Sequence, residues 1–238
     1  MSKSRFFAPQ NFVVGDPVEL DTEQSRHAIK SRRLKAGDSV ELLNGEGQIA
    51  IAELAPQSSR SLAVFTVQEV TAEKPVEFDL TIAVAVPKGD RQKVLLDMLT
   101  QLGVSRIVPL NCDFSATRAN DKLVAKWRRL VIESCKQSGR VWFPEIGLPA
   151  NAVDYAIRMS NQGLQLLIAD PKGESWQEYY GPRQSTTKVV CFVGPEGGFS
   201  ETEVRAIVSL EAKRVSIAPH ILRIETAAVA IASLLLTA

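Results

Sequence analysis

The 238-residue chain is poor in the residues that build metal centres and disulfide frameworks. It has only two histidines and three cysteines, which are Cys112, Cys135 and Cys191. The cysteines are odd in number, widely spaced and embedded in apolar or helical segments, so they argue against both a disulfide framework and a zinc site. The composition therefore predicts a protein of the reducing cytoplasm that binds no metal.

Long apolar runs and an N-terminal signal segment are also missing. The longest apolar stretches, residues 78–86 and 227–236, fall well short of the roughly 20 residues that span a bilayer. The first ten residues, MSKSRFFAPQ, contain no apolar core of a secretory signal. These absences predict a protein with no membrane partner.

Charge of one sign is not in excess, because 28 Lys and Arg residues balance 27 Asp and Glu residues to a net charge of +1. The distribution is uneven, however. One stretch free of acids carries Arg26, Lys30, Arg32, Arg33 and Lys35, and a second basic stretch covers residues 118–140. Each stretch alone is compatible with a solvated surface, whereas the two together favour a polyanion-binding footprint.

The pattern along the chain predicts two domains, residues 1–72 and residues 73–238. In the first, turn signals separate short strands over 39–43, 48–54 and 61–70, with a short helix over 21–30. Short strands at this spacing are typical of a small barrel or sandwich. The polar stretch 71–75 marks the boundary between the two domains.

In the second domain, strands alternate with helices. Strands are predicted over 78–86, 105–110, 164–169, 188–193 and 213–217, and helices over 90–102, 121–138, from Glu201 and from Thr226. Strands that are apolar on both faces and alternate with helices indicate a mostly parallel sheet in an α/β domain.

The strongest local motif is the glycine-rich turn of residues 194–198, Gly-Pro-Glu-Gly-Gly, which follows a buried strand. Ser200 and Glu203 then form a predicted capping box at the start of a helix. Glycines allow backbone N–H groups to approach a ligand, although a tight turn without a ligand is the alternative. The turn is neither a Walker A loop nor a dinucleotide fingerprint.

Further polar groups stand at the ends of other predicted elements. Residues 217–227 lie between a strand and a helix, at the carboxyl edge of the sheet where α/β proteins bind ligands. There Arg223 and Glu225 are either functional groups or a satisfied ion pair. The cations Lys88 and Arg91 can hold a phosphate, or Asp90 between them is merely the N-cap of a helix. Gln137 and Arg140 end a basic helix, where a cation can also serve the helix dipole.

Taken together, these segments resemble one family. The opening Arg-Phe-Phe at residues 5–7, the Lys-Gly-Asp-Arg of 88–91, the Gln-Ser-Gly-Arg of 137–140, the Gly-Pro-Glu-Gly-Gly-Phe of 194–199 and the Ile-Leu-Arg-Ile-Glu-Thr-Ala of 221–227 carry the resemblance. From end to end, the chain is similar to the bacterial 16S ribosomal RNA (uracil-N3) methyltransferases of the SPOUT superfamily.

The resemblance implies a small PUA-like β-barrel that binds RNA, followed by an α/β methyltransferase domain with a trefoil knot. It further implies a homodimer, S-adenosylmethionine as cofactor, no metal, and the 16S rRNA of the small ribosomal subunit as partner. The implied cofactor-binding residues are Leu167, Ile168, Ala169, Gly194, Pro195, Glu196, Gly197, Gly198, Ile217, Ala218, Ile221 and Leu222.

The chemistry of uracil methylation and the basic stretches of the chain give two more groups of candidates. The catalytic candidates are Arg5, Arg223 and Glu225. The RNA-binding candidates are Arg26, Lys30, Arg32, Arg33, Lys88, Arg91, Arg118, Gln137 and Arg140. Three alternatives stay open: a related methyltransferase that acts on another RNA or another atom, a non-catalytic ribosome-assembly factor that binds RNA, and a nucleotide-binding enzyme unrelated to methylation.

Overall fold

A computed structural model describes residues 3–59, 61–75, 77–179 and 188–236 of the chain. The chain divides into two compact units. The first consists of residues 1–75 together with 132–143, and the second of residues 76–131 together with 144–238. No helix among the described residues is both long enough and apolar enough to cross a membrane.

The first unit is built on a mostly antiparallel five-stranded sheet with the strand order β1-β3-β4-β5-β2. Its strands are β1 (Arg5–Phe7), β2 (Pro17–Glu19), β3 (Ser39–Leu43), β4 (Gln48–Leu54) and β5 (Val64–Ala72), and its helical segment is α1 (Thr22–Arg26) continued by a π-helical turn (His27–Ser31). Strands β1 and β2 do not pair with each other in the described part of the chain, so the sheet is a half-barrel.

The core of this unit is apolar and fully buried, with Phe6, Leu42 and Phe65 among its largest side chains. As the sequence predicts, β3 and β4 cover residues 39–43 and 48–54. Asp21 begins α1 by accepting the backbone N–H of Gln24 at 2.7 Å. The predicted strand over 61–70 begins three residues later, at Val64, because the hydroxyls of Ser58 and Ser59 accept the backbone N–H groups of Val64 and Leu62 just before it.

The second unit is a parallel sheet with the order β12-β10-β11-β6-β7-β8, and β9 also pairs with β7. Its strands are β6 (Asp79–Ala85), β7 (Arg106–Asn111), β8 (Glu145–Ile146), β9 (Ala150–Asn151), β10 (Gln165–Ser175), β11 (Lys188–Val193) and β12 (Lys213–Ser216). Every described pairing in it is parallel. The prediction of a parallel α/β sheet is confirmed.

The helices are α2 (Arg91–Leu102), α3 (Asp121–Ser138), α4 (Ala152–Asn161), α5 (Trp176–Tyr179), α6 (Glu201–Val208) and α7 (Ile224–Leu236). Helix α3 has the predicted bounds, and it crosses from the second unit into the first at residue 132. Helices α2 and α7 pack together, as do α4 and α6. The strands between them are buried on both faces, and β6 and β11 are almost entirely inaccessible to solvent.

Helices α2 and α7 begin differently from the sequence-based predictions. Asp90 stands at the N-cap of α2, but its side chain makes no capping hydrogen bond, because its own backbone is already helical at φ −70° and ψ −14°. Helix α7 begins at Ile224, two residues before the predicted start. This earlier start places Glu225 in the first turn of the helix.

Candidate cofactor cavity and active site

A cavity of about 590 Å³ lies within the second unit, at the carboxyl ends of β11 and β12 and beside residues 169–172 of β10. This size is typical of a pocket for a small organic ligand. The walls are the segments 169–172, 193–199, 214–218 and 220–222, together with Glu201, Val204, Arg205, Ile224 and Ala227. The two motifs that the sequence singles out therefore form one cavity.

The glycine-rich turn is shaped by its own backbone. Gly198 has φ +75°, and its N–H donates to the carbonyl of Pro195 at 2.8 Å. A Cβ on Gly194 would lie 3.0 Å from the ring of Phe199, so a larger residue would crowd the cavity wall. Ser200 and Glu203 form the predicted capping box immediately after this turn. The helix start and the glycines together keep the backbone of this wall open to a ligand.

The opposite wall carries an ion pair that sequence reasoning missed. Arg214 donates from Nε to the Oδ2 of Asp170 at 3.0 Å, and its Nη2 lies 2.9 Å from the same oxygen. Asp170 directly follows the predicted strand 164–169, so its position at a strand's carboxyl end is the signal that marks it as a site residue. The pair gives an otherwise largely apolar cavity one fixed polar edge.

Most of the predicted cofactor-binding residues line this cavity, namely Ala169, Gly194, Pro195, Glu196, Gly197, Gly198, Ile217, Ala218, Ile221 and Leu222. Leu167 and Ile168 do not line it. They are buried inside β10 at 1% and 0% exposure, where they pack in the core of the sheet. Strand β10 therefore contributes to the cavity through residues 169–172 in its middle, and it runs to Ser175, beyond the predicted end at residue 169.

The catalytic candidates Arg223 and Glu225 do not pair with each other. Glu225 is buried, and its Oε1 lies 3.7 Å from the Nε of Arg91, while its Oε2 has no hydrogen-bond partner among the described residues. Arg223 is exposed between the cavity residues Leu222 and Ile224. Within the described part of the chain, the guanidinium of Arg223 makes no hydrogen bond or ion pair. It is therefore a cation available at the cavity's edge.

Arg5 is engaged within the first unit. Its Nε donates to Glu41 Oε2 at 2.6 Å, and its Nη1 donates to the carbonyls of Lys136 and Gln137 at 3.2 Å. These carbonyls belong to the last turn of α3, where the helix itself offers no N–H partner, so Arg5 supplies their hydrogen bonds. Among the described residues, its Nη2 makes no hydrogen bond. That nitrogen is the only guanidinium nitrogen left for a ligand.

The predicted RNA-binding residues are mostly on the surface. Arg26, Lys30, Arg32, Arg33, Lys88, Arg118 and Gln137 are exposed, and Arg91 and Arg140 are half-buried. Burial lowers the pKa of Arg140 from its ordinary value. Arg33 has φ +57°, a left-handed backbone that turns the basic segment after the π-helical turn.

The described residues contain no cluster of three or more His, Cys, Asp or Glu side chains placed to bind a metal ion. Cys112, which follows β7, is not an activated nucleophile either. Burial, and then the charge of Glu203, raise the pKa of its thiol to about 12.

Two family models match the chain. The family model for the RNA methyltransferase domain matches residues 72–236, and the model for the RNA methyltransferase PUA domain matches residues 20–65. The chain belongs to the RNA methyltransferase family. The family predicted from the motifs, and the fold class predicted with it, are confirmed.

Relatives of this family are similar over almost their whole length. The ribosomal RNA small subunit methyltransferase E of Rickettsia conorii is 29% identical over 232 residues, which are 96% of this chain and 93% of the relative. The protein of the same name from Aquifex aeolicus is 29% identical over 228 residues, covering 93% of this chain and 95% of the relative.

Two solved structures share the fold and contain a bound cofactor. The Neisseria gonorrhoeae ribosomal RNA small subunit methyltransferase E, solved with S-adenosyl methionine, is 26% identical with a TM-score of 0.87, covering 99% of this chain and 97% of that chain. A Legionella pneumophila methyltransferase in complex with SAM is 25% identical with a TM-score of 0.88 and the same coverage of both chains.

Proposed function

We propose that this protein transfers the methyl group of S-adenosylmethionine to N3 of a uridine in the 16S rRNA of the small ribosomal subunit. The observation that carries the proposal is the cavity of about 590 Å³ at the carboxyl ends of β11 and β12, beside β10, in a chain of the RNA methyltransferase family. Relatives named as small-subunit ribosomal RNA methyltransferases, one of them solved with this cofactor, support the substrate class and the cofactor.

The cavity walls fit the proposed cofactor. Val193, Ile217 and Leu222 supply apolar contacts for an adenine ring, and the backbone of residues 194–198 supplies amide donors and acceptors. The Asp170–Arg214 pair offers a carboxylate and a guanidinium to the polar groups of the ligand. S-adenosylmethionine, when bound, supplies an electrophilic methyl group.

The chain's own residues then have to orient the uracil, allow its N3 proton to leave and stabilise the negative charge that results. Orientation alone can lower such a barrier by roughly 7–11 kcal/mol. During attack, uracil N3 gives up its proton to water or to a carboxylate base, for which Glu225 is the candidate, and negative charge spreads to O2 and O4. Arg223, exposed at the cavity's edge and without a described partner, can donate charge-assisted hydrogen bonds to such an oxygen. Arg5 is a second candidate through its free Nη2, and Glu225 keeps Arg91 beside α7.

RNA binding in this proposal uses the exposed cations of each unit. The first unit contributes Arg26, Lys30, Arg32 and Arg33, and the second contributes Lys88 and Arg118. Gln137, Arg91 and Arg140 add polar contacts. Because cations that neutralise phosphates release counterions, RNA affinity falls as salt concentration rises.

The proposal includes a homodimer, which the resemblance implies and an apolar surface supports. Val94 and Met98 lie one helical turn apart on α2 and are 47% and 44% exposed. The adjoining helix α7 is apolar, and its Leu234 and Leu235 are only half-buried. A second copy packed here would remove this surface from water. We also propose that the protein acts in the cytoplasm, because its proposed substrate is ribosomal RNA.

The decisive experiment incubates purified protein and radiolabelled S-adenosylmethionine with small ribosomal subunits that lack the modification, followed by nucleoside analysis of the RNA. We expect label in 3-methyluridine. Label in another nucleoside would keep the methyltransferase assignment and refute the substrate atom. Failure to bind the cofactor and to label any RNA would instead favour a non-catalytic assembly factor.

A further inference from the structure

A short loop after β7 presents an aromatic side chain beside the cavity. The loop covers residues 112–118 and is closed at its base by Asn111, whose Oδ1 accepts the N–H of Ala119 at 2.8 Å and whose Nδ2 donates to the Ala119 carbonyl at 3.3 Å. Inside the loop, the Oγ of Ser115 accepts the N–H of Cys112 at 2.9 Å. The loop is therefore a closed, hydrogen-bonded turn.

Phe114 stands at the outer end of this loop, and 57% of its surface is exposed. Its inner side rests on the glycine-rich turn: a Cβ on Gly197 would lie 3.5 Å from Phe114 Cβ and 3.8 Å from its ring atom Cδ2. Gly197 itself lines the cavity. The ring therefore lies against the cavity wall with much of its surface uncovered.

Two hydrogen bonds fasten the loop to the residues that follow the glycine-rich turn. The N–H of Asp113 donates to Glu203 Oε1 at 3.0 Å, and the Oγ of Ser200 donates to Asp113 Oδ2 at 2.6 Å. Ser200 and Glu203 are also the two members of the capping box of α6. The position of Phe114 is thus coupled to the position of the cavity wall, and its backbone is held before any ligand arrives.

Arg118, four residues further on, adds an exposed cation to the same loop. An exposed aromatic ring on a hydrogen-bonded loop beside a cofactor cavity, accompanied by a cation, has the chemistry that single-stranded RNA recognition uses. Bases stack on aromatic faces, and cations contact the backbone phosphates. A base that reacts at its edge must leave its stack, and it then needs a new stacking partner.

We propose that Phe114 is a substrate-binding residue that stacks on an unpaired nucleobase of the RNA at the rim of the cavity. This inference rests on the proposed function for the identity of the ligand. It assigns Phe114 to RNA binding and not to binding of the cofactor, since the ring lies outside the described lining of the cavity.

The test compares wild-type protein with Phe114→Ala, Phe114→Leu and Phe114→Trp. Affinity for unmodified small-subunit RNA is measured by filter binding, and affinity for S-adenosylmethionine by calorimetry. We expect Phe114→Ala to weaken RNA binding about tenfold, the loss typical of one stacked base. Phe114→Leu should also bind weakly, because it keeps the apolar bulk but loses the aromatic face, and Phe114→Trp should bind as wild type does. Cofactor affinity should stay unchanged throughout.

Leu148→Ala is the matched control, because Leu148 is also an exposed apolar residue, at 69%, and does not line the cavity. Unchanged RNA affinity in Phe114→Ala would overturn the inference. So would a loss of cofactor affinity with RNA affinity retained, or full RNA binding by Phe114→Leu. The RNA-binding measurement does not depend on turnover, so a protein that binds RNA through Phe114 but methylates nothing would refute only the proposed function.

Discussion

The carboxylate of Glu225 lies beside Arg91 and not beside Arg223, its neighbour in sequence. Because α7 begins at Ile224, positions 223 and 225 point to different sides of the helix start, and residues two apart on a helix do not face each other. Arg91, at the first turn of α2, comes from a distant part of the chain. The side chain of Arg223 is thereby left exposed.

At the same scale, the three thiols should be unreactive in the folded protein. Cys112, Cys135 and Cys191 are free and buried, and burial raises the pKa of each to about 12. Since the thiolate is the reactive form, we expect no labelling by a thiol reagent at pH 8, and three equivalents after unfolding in guanidinium. A Leu148→Cys variant should add one fast equivalent. Rapid labelling of the native wild-type protein would contradict the burial of the three cysteines.

Among the elements, β10 and β12 approach each other unusually closely beside the cavity. A Cβ on Gly173 would lie 2.5 Å from the backbone carbon of Arg214 and 2.6 Å from the nitrogen of Val215. The register of this strand pair also shifts between Ala169 and Glu174. Because Arg214 and Val215 line the cavity, the spacing of the two strands sets the shape of one wall.

Gly173→Ala should therefore affect both stability and ligand binding. Steric overpacking of this kind costs about 1–3 kcal/mol of the free energy of unfolding. We expect a lower Tm and at least a severalfold weaker affinity for S-adenosylmethionine, measured by calorimetry. Gly147→Ala is the control, because its Cβ would lie 2.9 Å from a methyl carbon of Val108 in the same sheet, while neither residue lines the cavity. Equal loss of cofactor affinity in both variants would refute a specific role for the strand spacing.

On the scale of the whole molecule, the first unit is not one continuous segment. Residues 132–143 belong to it, although the segment before them, residues 76–131, belongs to the second unit. The indole of Trp142 packs on Gly47, where a Cβ would lie 2.4 Å from the ring, and its Nε1 donates to the carbonyl of Glu73 at 2.9 Å. The predicted boundary between two domains at residue 72 stays a prediction.

The proposed dimer is also a prediction at this scale. In light scattering coupled to size exclusion, we expect the mass of two 26.0 kDa chains. The double variant Val94→Glu, Met98→Glu should elute as a monomer, because two carboxylates cannot be buried in an apolar interface without a large desolvation cost. Leu148→Glu, on another exposed apolar residue, should leave the dimer intact. A monomeric wild-type protein would refute the dimer without affecting the fold.

Local patterns sufficed where a segment's own sequence sets its structure. Strands β3, β4 and β11 and helix α3 have the predicted bounds, because alternation, continuous burial or helical periodicity runs through each of them. The glycine-rich turn and its capping box were predictable for the same reason: glycine and a Ser-x-x-Glu cap act over a few residues. The family followed from these motifs in combination.

Tertiary structure decided what depends on residues far apart in the sequence. The two-residue strands β8 and β9 exist only because β7 lies beside them, and helix α4, capped by Asn151, lies in a segment for which the sequence predicted no helix. The Arg91–Glu225 contact, the Asp170–Arg214 pair and the packing of Phe114 on Gly197 each join segments that lie tens of residues apart. A sequence motif specifies which groups are present, but the sheet's strand order and close packing determine which of them meet, because contact energies act only across a few ångströms.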